Sequence, residues 1–245
     1  MRGGISLALI GGLAVLAGLS ACQPVDPRQK DRPETARAFP LPHRPVSTIV
    51  GNQFSTEEAR DNRNEANTVM DLAGIEPGMT VADIGAGEGY YTVRLAERVG
   101  EGGRVLAQDI DGDALKRLGT RVERERLDNV SIKRGDIDDP RLPDNSFDRI
   151  FMVHMYHEVT EPYAFIWRLR PALKKGGQVI VVDVDRPTGK HGIPPKLLFC
   201  EFEASGYKLI EFAEKPDIAG YFARFAASGD RPEPGRIKVC EPGKD

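Results

Sequence analysis

The residues best equipped for chemistry fall first in Val81-Ala82-Asp83-Ile84-Gly85-Ala86-Gly87-Glu88-Gly89-Tyr90. A short apolar run there ends in an acid and enters a glycine-rich turn. Glycines at such a turn let the main chain approach a ligand closely, in dihedrals closed to other residues. A pyrophosphate-binding fingerprint is one reading, but the spacing is G-x-G-x-G, and Tyr90 stands where that fingerprint places its third glycine. Asp83 and Glu88 flank the turn, and carboxylates repel a pyrophosphate at short range. The pattern therefore asks for a ligand that presents positive charge. Asp109 and Asp136 end the next two apolar runs, so acids recur at the carboxyl ends of three consecutive strands. Each also has a plainer use: Asp83 capping the turn that follows, Asp109 and Asp111 capping the next helix, and Asp136 as a loop acid.

A second group lies in Met152-Val153-His154-Met155-Tyr156-His157-Glu158, which holds two of the four histidines in the chain. Imidazole titrates near neutral pH, so His157 is the candidate general base, with Tyr156 as a positioning group. His154 and Glu158 stand behind them; packing under the sheet is the plainer use of His154, and helix capping that of Glu158. Downstream, Asp183-Val184-Asp185-Arg186 and Lys190-His191 rim the same cleft. Arg186 and His191 there could bind an acidic acceptor or serve only as solvated loop residues. There is no C-x-x-C and no histidine pair at ligand spacing, so no metal site is expected.

The elements that must position these groups alternate in type. Strands are expected at 79–84, 104–110, 130–133, 147–153 and 178–184, with helices at 89–99, 114–127, 162–173 and 195–205. A polar helix at 56–72 precedes them, and its run Arg60, Asp61, Arg63, Glu65 is either a lid over the cleft or a salt-bridged solvent face. Alternation of this kind gives an α/β domain, a parallel sheet with helices on both faces. The last two strands, at 207–213 and 221–227, are joined by a turn too short for a crossover helix, so they close the sheet as an antiparallel hairpin.

Five parallel strands, a terminal hairpin and the acid-flanked glycine turn together resemble the class I S-adenosylmethionine-dependent methyltransferases, over residues 56–227. The resemblance implies a Rossmann-like seven-stranded sheet and S-adenosylmethionine as cofactor. It also implies site roles: Asp83, Gly85 and Gly87 against the methionine moiety, Gly89 at the helix start, Asp109 on both ribose hydroxyls, and Asp136 with the Ile137 amide on adenine. The acceptor it implies is a small molecule or lipid-like. One alternative is a non-catalytic lipoprotein that keeps the fold and binds S-adenosylmethionine or a nucleoside. A nicotinamide-dependent oxidoreductase is disfavoured by Tyr90 and by the hairpin.

The ends of the chain carry separate signals. Arg2 precedes a small and apolar run that closes in Leu19-Ser20-Ala21-Cys22, which resembles a bacterial lipobox. It implies a signal peptide at 1–21 and a diacylated Cys22 on a membrane; a retained anchor helix is the alternative. Gln23 after the cysteine favours the outer membrane, with the domain in the periplasm. Residues 22–54, rich in proline and charge, are expected to form a tether, residues 55–228 the domain, and residues 229–245 a surface tail. An exported compartment is oxidising, so Cys200 and Cys240 either pair or remain one buried and one free. Export also conflicts with a cofactor made in the cytoplasm. With 34 basic against 37 acidic side chains in 245 residues, the chain lacks the clustered positive charge that nucleic acid requires.

Overall fold

The computed structural model describes Met1 and residues 29–48, 55–218 and 220–243. The signal segment, Cys22 and the first residues of the expected tether lie outside the described residues. Contacts divide the chain into residues 1–31 and 32–245, and the following concerns the second unit. No helix among the described residues is long and apolar enough to cross a membrane.

Seven strands form one sheet: β1 (Thr80–Ile84), β2 (Arg104–Asp109), β3 (Val130–Arg134), β4 (Phe147–Val153), β5 (Leu173–Asp183), β6 (Tyr207–Lys215) and β7 (Gly220–Ala227). Their order is β3-β2-β1-β4-β5-β7-β6. The first five run parallel, and β7 is antiparallel to both β5 and β6. This is the Rossmann-like methyltransferase sheet the sequence leads one to expect. The order reverses between β1 and β4, and in open α/β sheets that crevice, at the carboxyl ends of the strands, is where ligands bind.

Alternation of side chains along the central strands builds two cores at once. Ala82, Ile84, Ile150, Met152, Val179 and Val181 face one side and pack on α5 (Pro162–Leu169) and α6 (Pro195–Ala204). Val81, Phe151, Ile180 and Val182 face the other, against α2 (Glu65–Leu72) and α3 (Tyr90–Val99). On β1, Asp83 shares the face of Val81. Its carboxylate accepts a hydrogen bond from Thr92 on α3 at 2.6 Å.

Three expectations change. The polar helix at 56–72 is two helices, α1 (Glu57–Asn62) and α2, broken where Asn64 takes a left-handed φ of 53°. The helix expected at 162–173 stops at Leu169, since Pro171 cannot continue the hydrogen-bond ladder. The ends of the domain are not free either. From Arg32 to Ser47 the chain packs as a strap: Arg32 pairs with Glu161 at 2.6 Å, and Phe39 meets Trp167 edge-on at 5.3 Å between centroids. The expected tail is docked as well. Ile237 and Cys240 are buried, Trp167 donates to the Pro232 carbonyl at 2.7 Å, and a disulfide joins Cys200 to Cys240. Hydropathy misjudged both segments because their anchors are single buried side chains set among exposed prolines and charges.

Candidate functional site

A cavity of about 420 Å³ opens at the carboxyl ends of the parallel strands. Its floor is the glycine turn. Gly85 has φ +69°, and a Cβ there would lie 2.9 Å from Met155 Cγ, so the position demands glycine on both counts. Gly87 lines the cavity beside it and donates its amide to Asp109 at 2.8 Å. The other Asp109 oxygen accepts the Asp111 amide at 2.9 Å. Asp109 is thus held by main chain at the rim of the cavity, while the helix cap of α4 (Gly112–Glu125) is supplied by Asp111.

Asp83 lines the same cavity and is almost wholly buried. Burial pushes its carboxyl up to about 6, opposed by the Thr92 hydroxyl and the Arg60 charge and reinforced by the charge of Asp109. Asp136 and Ile137 complete this wall. Asp136 pairs with Arg141 at 2.6 Å, and Ile137 leaves apolar surface 40% exposed at the mouth. Gln108, between these groups, has a buried amide nitrogen with no hydrogen-bond partner among the described residues. Two predicted members stand elsewhere. Gly89 opens α3 away from the cavity, and a Cβ there would fall 2.4 Å from Leu118, so packing on α4 is what it serves. Glu88 turns outward to Arg117 at 2.7 Å and contributes no charge to the cleft.

The run on α1 and the start of α2 gives both a cavity-lining side chain and a salt-bridged face. Arg60 lines the cavity, stacks 3.8 Å over the Tyr90 ring and bonds Glu65 at 2.6 Å. Arg94 covers the same ring at 3.8 Å and pairs with Asp61. Glu65 is buried, which would raise its carboxyl, but the nearby His154 ring and the hydrogen-bonded Arg60 guanidinium hold it down at about 2. His154 does not pack under the sheet. It adopts a left-handed φ of 54° at the end of β4 and brings Nε2 to 3.6 Å from Glu65 at the cavity wall.

Across the cavity, His157 sets Nδ1 2.9 Å and 3.0 Å from the two oxygens of Asp183, which is completely buried at the end of β5. A carboxylate can only accept, so Nδ1 carries a proton, and the neutral ring has its lone pair on Nε2. The His191 ring stands edge-on to His157, 5.7 Å between centroids. Donor atoms of His157, Glu158 and His191 lie within 4.8 Å of one another, a cluster hidden from spacing motifs because its members come from two loops. Tyr156 requires a correction. The single turn at Tyr156–Glu158 points successive side chains in different directions, and Tyr156 enters the core, where its hydroxyl donates to Glu201 at 2.8 Å.

The strap fixes both loops of this wall. The Arg44 guanidinium, fully buried, bonds Glu201 at 2.8 Å and reaches the carbonyls of Tyr156, His157 and Val159 at 3.2–3.4 Å. Ser47 donates to the Thr188 carbonyl and accepts the His191 amide at 2.9 Å. Sequence reasoning missed Arg44, Ser47, Glu201 and the pairing of Asp183 with His157, since none forms a local pattern.

Residues 75–209, more than half of the chain, match the family described as a methyltransferase domain. The ubiquinone/menaquinone biosynthesis C-methyltransferase of Shewanella sp. strain ANA-3 is 32% identical over 120 residues, covering 48% of this chain and 47% of that protein. The chain thus spans about half the length of the curated relatives it matches. Among solved structures, a SAM-dependent methyltransferase from Aquifex aeolicus aligns with a TM-score of 0.60 at 24% identity, over 71% of this chain and 98% of that one. A [4+2]-cyclase aligns equally well, TM-score 0.60 at 17% identity over 78% and 88%. At these identities the likenesses speak to the fold alone.

Proposed function

Taking as premise that the chain belongs to the methyltransferase-domain family, we propose that its cleft binds S-adenosylmethionine and transfers the methyl group to a small, apolar or lipid-like acceptor. The observation that carries this reading is the set Asp83, Asp109 and Asp136 at the ends of three adjacent strands around the Gly85–Gly87 turn. The residues fit the cofactor. Gln108 lines the cavity beside these acids, Ile137 offers an apolar surface for a base, and the volume is that of a small-molecule site. Bound there, S-adenosylmethionine supplies a methyl carbon already activated by its sulfonium.

The protein's part is alignment, desolvation and proton removal. Asp109 takes the ribose hydroxyls, Asp83 the ammonium group, and Asp136 with the Ile137 amide the adenine edge. The Arg60 lid covers the cavity, and His157, fixed by Asp183, offers Nε2 as the base for the acceptor's proton. The name of the Shewanella relative suggests a quinone-like ring as acceptor. Calorimetry with S-adenosylmethionine tests the core of the reading. Asp109→Ala loses charge-assisted hydrogen bonds worth about 1.5–3 kcal/mol, a loss of roughly ten- to a hundredfold in affinity; unchanged affinity refutes the ribose assignment. Transfer of labelled methyl to a lipid extract or a demethylated quinone, against buffer alone, separates an enzyme from a binding protein.

The reading includes a place in the cell: anchored by lipidated Cys22 in the envelope, with the domain in the periplasm. The Cys200–Cys240 disulfide supports it, because such bonds persist in oxidising compartments. Fractionation with globomycin treatment tests it; a soluble chain that retains residues 1–21 excludes the anchor.

A further inference from the structure

We propose that the acceptor side of the cleft binds one divalent transition-metal ion, with Nε2 of His157, an imidazole nitrogen of His191 and a carboxylate oxygen of Glu158 as its ligands. One ligand atom from each of the three residues lies within 4.8 Å of the other two, and all three residues line the cavity. Donors on a common ion with bonds of about 2.0–2.2 Å sit roughly 3–3.5 Å apart, so closing the set takes shifts of about an ångström. Two imidazoles and one carboxylate suit zinc, iron or cobalt rather than magnesium or calcium, which prefer all-oxygen shells.

The surroundings of His157 are those of a ligand. Its Nδ1 donates to Asp183, a carboxylate with no exposure, and this outer bond fixes the tautomer, turns the ring and raises the basicity of Nε2. The second loop is held equally firmly by the Ser47 bond to the His191 amide at 2.9 Å. Three protein ligands leave a position open toward the cavity, the arrangement of a catalytic rather than a structural ion.

The consequence for the reaction rests on the methyltransferase reading above; the binding of the ion does not. An acceptor hydroxyl at the open position has its pKa lowered by the ion and releases its proton to water. The oxygen lone pair then forms the bond to the methyl carbon as the carbon–sulfur bond breaks, its electrons staying on sulfur as a neutral thioether. With the ion in place, Nε2 of His157 is a ligand and no longer the base. The acceptor class narrows to hydroxyl- or enol-bearing molecules.

Titration of the purified protein with Co²⁺, followed by its visible absorption bands and by competition with Zn²⁺, tests the site. One equivalent is expected to bind, with affinity reduced at least about tenfold in His191→Ala and in Glu158→Gln. His43→Ala, an exposed histidine paired with Glu241 and outside the cavity lining, should change nothing. Absence of Co²⁺ binding, or affinity unchanged from wild type in both cleft variants, overturns the proposal. S-adenosylhomocysteine binding is measured on the same samples. Cofactor binding without Co²⁺ removes the metal alone, and Co²⁺ without cofactor binding removes the methyltransferase reading and leaves the site.

Discussion

With the ligand ammonium on Asp83 as proposed, cofactor binding is expected to depend on pH. In the free protein its carboxyl sits at about 6, because burial and the neighbouring Asp109 outweigh the Thr92 hydroxyl and the Arg60 charge. A ligand ammonium beside it favours the ionised form and lowers that value. The free pKa then lies above the bound one, so binding expels a proton, and affinity rises with pH through the interval between the two. At pH 7 about nine-tenths of the free protein carries the ionised carboxylate, and at pH 5 about one-tenth. With the bound value at or below about 4, affinity for S-adenosylhomocysteine is expected to fall about tenfold from pH 7 to pH 5, some 1.4 kcal/mol, and to be level above pH 7. Isothermal titration calorimetry in two buffers of different ionisation enthalpy reads both the affinity and the proton released. Asp83→Asn keeps the shape and a partner for Thr92, and should bind more weakly with no slope between pH 5 and 7. A level wild-type profile, or the same slope in the variant, would refute the placing of the ammonium on this carboxylate.

The strap and the docked tail give further expectations. Arg44→Ala leaves the Glu201 carboxylate buried without its cation, and breaking such a pair costs about 3–5 kcal/mol. The thermal midpoint should drop by several degrees, and the double variant with Glu201→Ala should lose less than the sum of the two; strict additivity in that cycle would show that the pair does not couple. Reduction of Cys200–Cys240, or Cys240→Ser, removes a closure of 40 residues worth about 4 kcal/mol in the chain-entropy picture. Urea denaturation with and without reductant measures it, and coincident midpoints would show that the docked tail is held without the bond.

The cofactor side of the cleft was largely legible in the sequence, and the acceptor side only partly. Strand ends, the glycine turn and the acids at 83, 109 and 136 follow from periodicity and local chemistry, and the parallel sheet with its terminal hairpin follows from the alternation of elements and the short last turn. Glu88 and Tyr156 show the limit of that reasoning. Adjacent positions in a turn point different ways, and one dihedral decides whether a side chain meets the cleft, the solvent or the core. The His157–Asp183 pair was divided between two motifs, each noted separately. Arg44 and Ser47 gave no signal, because a polar residue that anchors a proline-rich strap has the same composition as one in a solvated linker.

One consequence of the strap concerns the order in which the two halves of the cleft come into being. The contacts that close the cofactor half join residues near in sequence: Thr92 to Asp83 over 9 positions and Gly87 to Asp109 over 22. Those that fix the acceptor half join Arg44 to Glu201 over 157 and Ser47 to His191 over 144. Loop-closure entropy is met early for the first set and late for the second. During synthesis the Thr92–Asp83 and Gly87–Asp109 contacts have both partners once α4 has emerged, whereas the histidine wall waits for α6. In the finished protein, hydrogen exchange should find the two histidine loops opening together with the strap, as one unit, while the glycine turn stays protected.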